Sequence, residues 1–284
     1  MRCVEVRVLV FAGDVSGADA AVRAAIAGAR SPIDRAFATA CAAVVDGTSD
    51  RRALAQQRCA ELLASGIAPD SVVASGIYVL AAYAVITIGD VPTTVRLILA
   101  AGGDADLGHL RIIDRAICFE VLVHAAVDDH DLDAAQSWLQ RCDPLAGHPI
   151  VDSTIGRIRS RVALLAGDAQ AALDHALLSV EHAHRHRRGI EAAEGEVLAA
   201  RARIALRQTG EASRRLAEVV AEANERGHRA VRLSAARELR PTGRRLPPEP
   251  SGWDGLSARE REVAGLMVAD RSNAEIAAEL FLSE

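Results

Sequence analysis

Six short polar breaks divide the first 240 residues, and they constrain the fold more than anything else in the chain. They fall at Ala12-Gly13-Asp14, Asp46-Gly47-Thr48, Ile88-Gly89-Asp90, Asp129-His130-Asp131, Ala166-Gly167-Asp168 and Gln208-Thr209-Gly210. Glycine supplies the left-handed residue that ends one helix, and Asp or Thr caps the next. Between the breaks, apolar residues recur at helical spacing. Ala169, Ala172, Leu173, Ala176, Leu177 and Val180 form one stripe, with Gln170, Asp174 and Glu181 largely off it, and Leu132, Ala135, Trp138 and Leu139 form another. One helix pair cannot bury its own stripe, so neighbouring pairs must stack. Breaks about 34 to 43 residues apart are the period of such stacks. The expectation is an all-α chain whose residues 1–240 form a tetratricopeptide-like helical-repeat solenoid with a concave surface. Its repeats are degenerate, since none carries the full Trp-Leu-Gly-Tyr pattern.

Composition agrees with helices. Half of the 284 residues are hydrophobic but aromatics are only 3%, and alanine supplies about a fifth of the chain. A β-sandwich would need more Thr, Tyr, Phe and Trp, whereas small side chains let helices approach closely. None of the 33 basic residues is lysine. That excludes P-loop chemistry and Schiff-base or pyridoxal chemistry, each of which needs a lysine amine. The formal charge is −5 and uneven: residues 1–180 carry 15 Arg against 21 acids, residues 181–245 carry 15 Arg against 9. A basic face toward DNA is one reading of the second stretch, and an ordinary solvated helical face is the favoured one.

Five scattered cysteines, Cys3, Cys41, Cys59, Cys118 and Cys142, form no C-x-x-C pair and read as reduced, buried thiols in a cytoplasmic protein. Glu5, Arg7 and Asp14 interrupt any signal-peptide core. The longest apolar run, Gly76 to Ile88, is too short to span a bilayer, so no membrane association is expected. Residues 241–252 hold four prolines and two glycines, which cannot continue a helix, and residues 241–257 are expected to be a linker.

Beyond the linker, Ser257 and Glu260 make a capping box for a helix to about Ala269. Ser272 would cap a second helix from Asn273 to about Phe281. Val263, Leu266 and Met267 on the first, with Ile276, Ala277 and Leu280 on the second, supply a small shared core. The run Trp253, Leu256, Ser257, Arg259, Glu260, Glu262, Val263, Leu266, Ser272, Asn273, Glu275, Ile276, Ala277, Leu280, Leu282 and Ser283 resembles, in register and without gaps, the opening of a LuxR-type helix-turn-helix domain. This resemblance covers about the last tenth of the chain. Together with the repeats, it is similar to the C-terminal half of the large ATP-dependent LuxR-family regulators, whose repeats sense an effector or a partner protein. It implies transcriptional regulation, with DNA as partner, RNA polymerase as a candidate partner, and an effector or protein ligand in the repeat groove.

The resemblance makes the helix from Asn273 the supporting helix on the phosphate backbone, with Arg271, Ser272, Asn273 and Ser283 as its DNA-contacting candidates. The base-reading helix would follow Leu282-Ser283, where the sequence ends, so residues 258–284 are expected to be an incomplete module. DNA binding is expected only if it is completed beyond Glu284. These residues carry 3 Arg against 6 acids, little of the positive field that dominates DNA affinity. The competing expectation is a protein-interaction scaffold with a vestigial motif.

No catalytic, cofactor or metal site is expected. His182, His184 and His186 point about 200° apart in succession along a helix, so they cannot jointly chelate one ion, although His182 with His186 could, and the flanking arginines oppose it. Asp128 to Asp133 lacks the glycine and the bidentate glutamate of a calcium loop and reads as a capping turn.

Overall fold

The computed structural model describes residues 2–242 together with Val263, Leu266, Met267, Val268, Arg271 and Glu275. The described residues are helical with no strand, and the chain divides into two compact units, Met1–Leu246 and Pro247–Glu284. The all-α class is therefore correct.

Thirteen α-helices build the first unit: α1 (Arg2–Ala12), α2 (Val15–Gly28), α3 (Pro32–Thr48), α4 (Arg52–Ala64), α5 (Val72–Ile86), α6 (Val91–Gly102), α7 (Ile112–Asp128), α8 (Leu132–Cys142), α9 (Asp152–Leu165), α10 (Ala169–Arg185), α11 (Gly189–Ala205), α12 (Thr209–Glu225) and α13 (Arg229–Leu239). One turn geometry recurs eight times. A residue with φ between +55° and +89° precedes the next helix's N-cap, whose N–H bonds back five residues at 2.8–2.9 Å. It occurs at Gly13-Asp14, Asp50-Arg51, Gly89-Asp90, His130-Asp131, Gly167-Asp168, Arg187-Arg188, Arg207-Gln208 and Gly227-His228. This is the six-to-one closure that satisfies the last carbonyls of a helix. Asp14, Asp90, Asp131 and Asp168 then cap the following helix by accepting from the backbone N–H three residues on, at 2.8 to 3.2 Å.

Two of the six predicted breaks lie elsewhere. Asp46-Gly47-Thr48 is the last turn of α3, not a break. Asp46 accepts from Arg51 and Arg58 at 2.7 and 2.6 Å, Thr48 Oγ1 donates to Val44 O, and a Cβ on Gly47 would collide with the Ala84 carbonyl oxygen. Glycine is there because α5 passes too close for any side chain. At the last break, Thr209 and Gly210 already belong to α12, and the reversal sits on Arg207.

Successive helices pack on one another, and so do alternate ones: α1 on α3, α3 on α5, then α7, α9, α11 and α13 in turn. The odd-numbered helices from α5 to α13 therefore wall the interior, with even-numbered neighbours outside them. The array does not stay open as a groove. α13 reaches α3 and α1 reaches α11, so the ends of the array meet. Val15 N–H donates to Arg226 O at 3.1 Å, Arg226 Nη1 donates to Ala12 O at 3.2 Å, and the Arg188 guanidinium lies 5.7 Å from the Phe11 ring centre. A Cβ on Gly189 would strike the Ala12 carbonyl, so that closure also depends on a missing side chain.

Four cysteines are buried, as expected of inert thiols, but Cys3 is only half-buried because it sits in the first turn of α1. No described helix is long and apolar enough to cross a membrane.

Candidate functional site

An inner helix that touches a neighbour on each side has little freedom over where a charge can go. Glu120 lies inside the apolar run Ile117–Val123 of α7, and Arg157 lies between Ile155 and Ile158 of α9. Each can only face the other or the space between the helices. Arg157, whose side chain is 2% exposed, grips Glu120 as a fork, Nε to Oε1 at 2.7 Å and Nη2 to Oε2 at 2.6 Å. Its Nη1 donates to Glu191 Oε2 at 3.1 Å and to Ser153 Oγ at 3.2 Å. Ser153 Oγ and Arg188 close on Glu191, and Glu194 Oε2 stands 3.5 Å from Arg157 Nε. One arginine thus ties α7, α9 and α11 together across the interior. Ions this deep persist only when paired and hydrogen-bonded, and the two-point fork is the strongest such pairing.

The ionisation of the group follows from that geometry. Burial alone would raise the Glu120 carboxyl, but Arg157 and then Arg161 hold it below the usual carboxylate range. Burial opposes the Arg157 charge, yet Glu120 and Glu191 hold its pKa well above ordinary. Glu194, which shares Arg157 with two other acids, is pushed by burial up to about 7. Arg161 is different: burial lowers it, and its contact with Glu120 is a loose 3.8 Å.

Beside this network lies a cavity of about 510 Å³ walled by α5, α7, α9, α11 and α13. Its lining is mixed, with Ile86, Ile88, Val91, Ile117, Val121 and Val197 apolar and Glu120, His124, Arg161, Glu194, Arg201 and His228 polar. His228 is 4% exposed. Its Nδ1 accepts from Val231 N–H at 3.1 Å, which leaves Nε2 to carry the proton, and Nε2 has no partner. Burial keeps the ring neutral, with its pKa pushed down to about 4, and burial with Arg161 takes His124 down to about 3. Arg161 Nε is likewise buried and unpartnered. Arg201 is engaged by Glu238 at 2.8 Å. A concave, part-apolar space with a few converging polar groups is the usual form of a small-molecule site. A second crevice, about 600 Å³ between the end of α1, α11 and α12, has Arg215 and Arg226 already committed to Glu196 and Glu222.

None of these interior residues was singled out in the sequence. The signal that would have found them is a charged residue inside an otherwise apolar helical run. The histidine stretch does not gather into a chelate: His182 Nδ1 faces Asp152 Oδ2 at 3.9 Å, and His186 caps the C-terminus of α10. Among the described residues no three His, Cys, Asp or Glu are grouped to hold a metal ion. Much of the arginine excess of 181–245 is spent on helix-surface pairs such as Arg185–Glu181, Arg214–Glu211 and Arg226–Glu222.

In the C-terminal unit, Val263 and Leu266 are helical and half-buried, whereas Met267, expected to share their core, is 61% exposed. Its expected partners on the second helix lie outside the described residues. Of the four DNA-contacting candidates only Arg271 is described. It is exposed, its N–H bonds to Leu266 O at 3.1 Å, and its guanidinium meets Glu275 at 3.5 Å, a solvated i,i+4 pair that leaves it free to reach a phosphate. Ser272, Asn273 and Ser283 lie outside the described residues, as do Ser257 and Glu260 of the capping box. No curated protein matches the chain. Residues 254–284 match the family of bacterial regulatory proteins, luxR family, so the C-terminal segment carries a LuxR-type DNA-binding domain and supports a LuxR-type transcription regulator.

Proposed function

We propose that the helical unit is the sensor of this regulator, a tetratricopeptide-like array closed on itself that takes an effector into its interior cavity. The match at residues 254–284 carries the regulator reading. The cavity supports the sensor reading, because its wall combines an apolar face with buried donors that lack partners. The interior is read as a binding site and not as an active site. Glu120 is committed to Arg157, and burial holds the Tyr83 hydroxyl well above its ordinary pKa. DNA is the intended partner, with Arg271, Ser272, Asn273 and Ser283 on the phosphates and RNA polymerase as the further partner such a regulator would meet.

Base reading in such a module belongs to the helix after the matched Leu-Ser. The test therefore compares this chain with the same chain extended past Glu284 by a luxR-family recognition helix. Footprinting on genomic fragments should show a discrete site for the extended chain. The 284-residue chain should show only salt-sensitive, sequence-indifferent binding. A discrete footprint from the 284-residue chain, or none from the extended one, would overturn the assignment.

A further inference from the structure

The polar wall of the cavity is unbalanced in one specific way. Among buried side-chain atoms that line it, the two without a hydrogen-bond partner, Arg161 Nε and His228 Nε2, are both donors. Such groups are costly unless something accepts from them. The missing occupant is therefore rich in acceptors. It is also limited in charge. Arg161 is the part-buried, weakly committed cation of the lining, since Arg201 is held by Glu238 and Arg52 by Asp50 and Arg237 is exposed, while Glu120, Glu194 and Asp128 line the same cavity as acids. Beside Arg161 a dianion would meet Glu120 and Glu194, whereas a single carboxylate discharges that arginine and stops there. The isoleucines and valines of the lining ask for an apolar body.

Resting on the sensor reading above, we infer that the cavity binds a small organic acid, an apolar body carrying one carboxylate that pairs with Arg161, with a ligand oxygen accepting from His228 Nε2–H. The carboxylate suits Arg161 better than a neutral acceptor would, because a charge-assisted hydrogen bond is about twice as strong as a neutral one.

The same arrangement links binding to a proton. Glu194 faces Arg157 and Arg161 from α9, Glu120 from α7, Tyr83 from α5 and Glu191 on its own helix. Of these, the two arginines favour its charged form. A carboxylate arriving on Arg161 weakens that support and adds a negative neighbour, so Glu194 takes up a proton as the acid binds. Its pKa of about 7 in the empty site places this uptake in the neutral range. Binding is then weaker at pH 8 than at pH 6, where Glu194 is already protonated, by up to about tenfold per unit above 7.

The test is calorimetry on the 284-residue chain with hexanoate and phenylacetate, each beside its primary amide, and with hexyl phosphate, at pH 6 and pH 8. At least one acid should bind about tenfold or more tightly than its amide and than hexyl phosphate. Its affinity should fall from pH 6 to pH 8 in the native chain but stay level in Glu194→Gln. Arg161→Gln should abolish the preference for acid over amide. Arg161→Lys, which keeps the charge, should retain the preference at reduced affinity, and this guards against a Gln variant that merely misfolds. An amide equal to its acid, a phosphate that outcompetes both, or no binding by either acid overturns the carboxylate assignment. The sensor reading fails separately. It falls if an acid binds as described but leaves DNA occupancy by the extended chain unchanged. It survives alone if an uncharged ligand alters that occupancy while the acids do not.

Discussion

Replacing Arg157 by methionine keeps the length of the side chain and removes the one charge that joins α7, α9 and α11. Glu120 and Glu191 would then be left in the interior, their side chains 12% and 3% exposed, without the guanidinium that compensates them. Removing one member of a buried, hydrogen-bonded ion pair costs about 3–5 kcal/mol. For a unit of this size that corresponds to about 6–20 °C in Tm. The cost should depend on pH, and its sign is fixed. In the native protein Glu120 is held below its unfolded pKa of about 4.3, so its contribution is present above that value and is lost as pH falls through the folded one. In the variant, burial acts unopposed by Arg157 and raises Glu120 and Glu194, so each destabilises increasingly as pH rises above about 4.3. The gap between native and Arg157→Met should thus be widest at pH 8 and narrow toward pH 5. Adding Glu120→Gln and Glu191→Gln to the variant should recover a large part of the loss at pH 8. Urea denaturation followed by far-UV circular dichroism at the two pH values measures all of this. A gap under about 1 kcal/mol at pH 8, or one of equal size at pH 5, would refute the claim that this network organises the interior.

Gly189→Ala places a Cβ against the Ala12 carbonyl and should loosen the closure of α1 on α11, costing about 1–3 kcal/mol and speeding amide exchange in α1 more than in α9. Arg207→Gly relieves an exposed left-handed residue at φ +64° and should stabilise by about 0.5–1 kcal/mol in the same denaturation assay; a loss would count against the turn geometry. His228 is neutral when folded, with a pKa of about 4, so stability should fall as pH drops from about 6.5 toward 4, at up to about 1.4 kcal/mol per unit, and His228→Asn, which can still cap α13, should flatten that limb. The hydrogen bond with Cys41 holds the half-buried Cys3 thiol down to about 7, whereas burial pushes Cys59 and Cys142 up to about 12, so mass spectrometry after brief iodoacetamide treatment at pH 7.5 should find Cys3 modified first and Cys118 only on unfolding.

The helical class was legible because it is written in two local signals, and both have physical limits that show in the errors. Gly13-Asp14, Gly89-Asp90 and Gly167-Asp168 announce themselves, since glycine takes the left-handed residue and aspartate the cap. The same turn built on Asp50-Arg51 or Arg187-Arg188 has no glycine at its left-handed residue and was missed; Asp50 and Arg187 take that region at φ +56° and +55°. Asp46-Gly47 has the composition of a turn but serves a close helix contact and a pair of ion bridges, which depend on residues far off in sequence. In α10 the apolar stripe was visible because that helix has a solvent face. From Ala74 onward α5 has no exposed residue, so its apolar residues show no period and were noticed only as a run too short for a membrane.

The DNA-binding segment and the interior cavity were legible to opposite degrees for a related reason. The terminal motif keeps its residues in one continuous register, where a resemblance can be counted. The cavity wall is drawn from five helices spread over about half the chain, with Glu120 and Arg157 separated by 37 positions and Arg157 and Glu191 by 34. Those separations approach the spacing of the helix pairs, as they must when each pair contributes its inner helix to the same ring. A charge buried on one inner helix therefore finds its partner one repeat along, at a distance set by the fold and not by any local motif. In a closed array an inner charge held only loosely by such a partner, as Arg161 is at 3.8 Å from Glu120, is left open to the space the ring encloses. A ligand for this space is marked by unsatisfied donors, Arg161 Nε and His228 Nε2, and by no sequence signature.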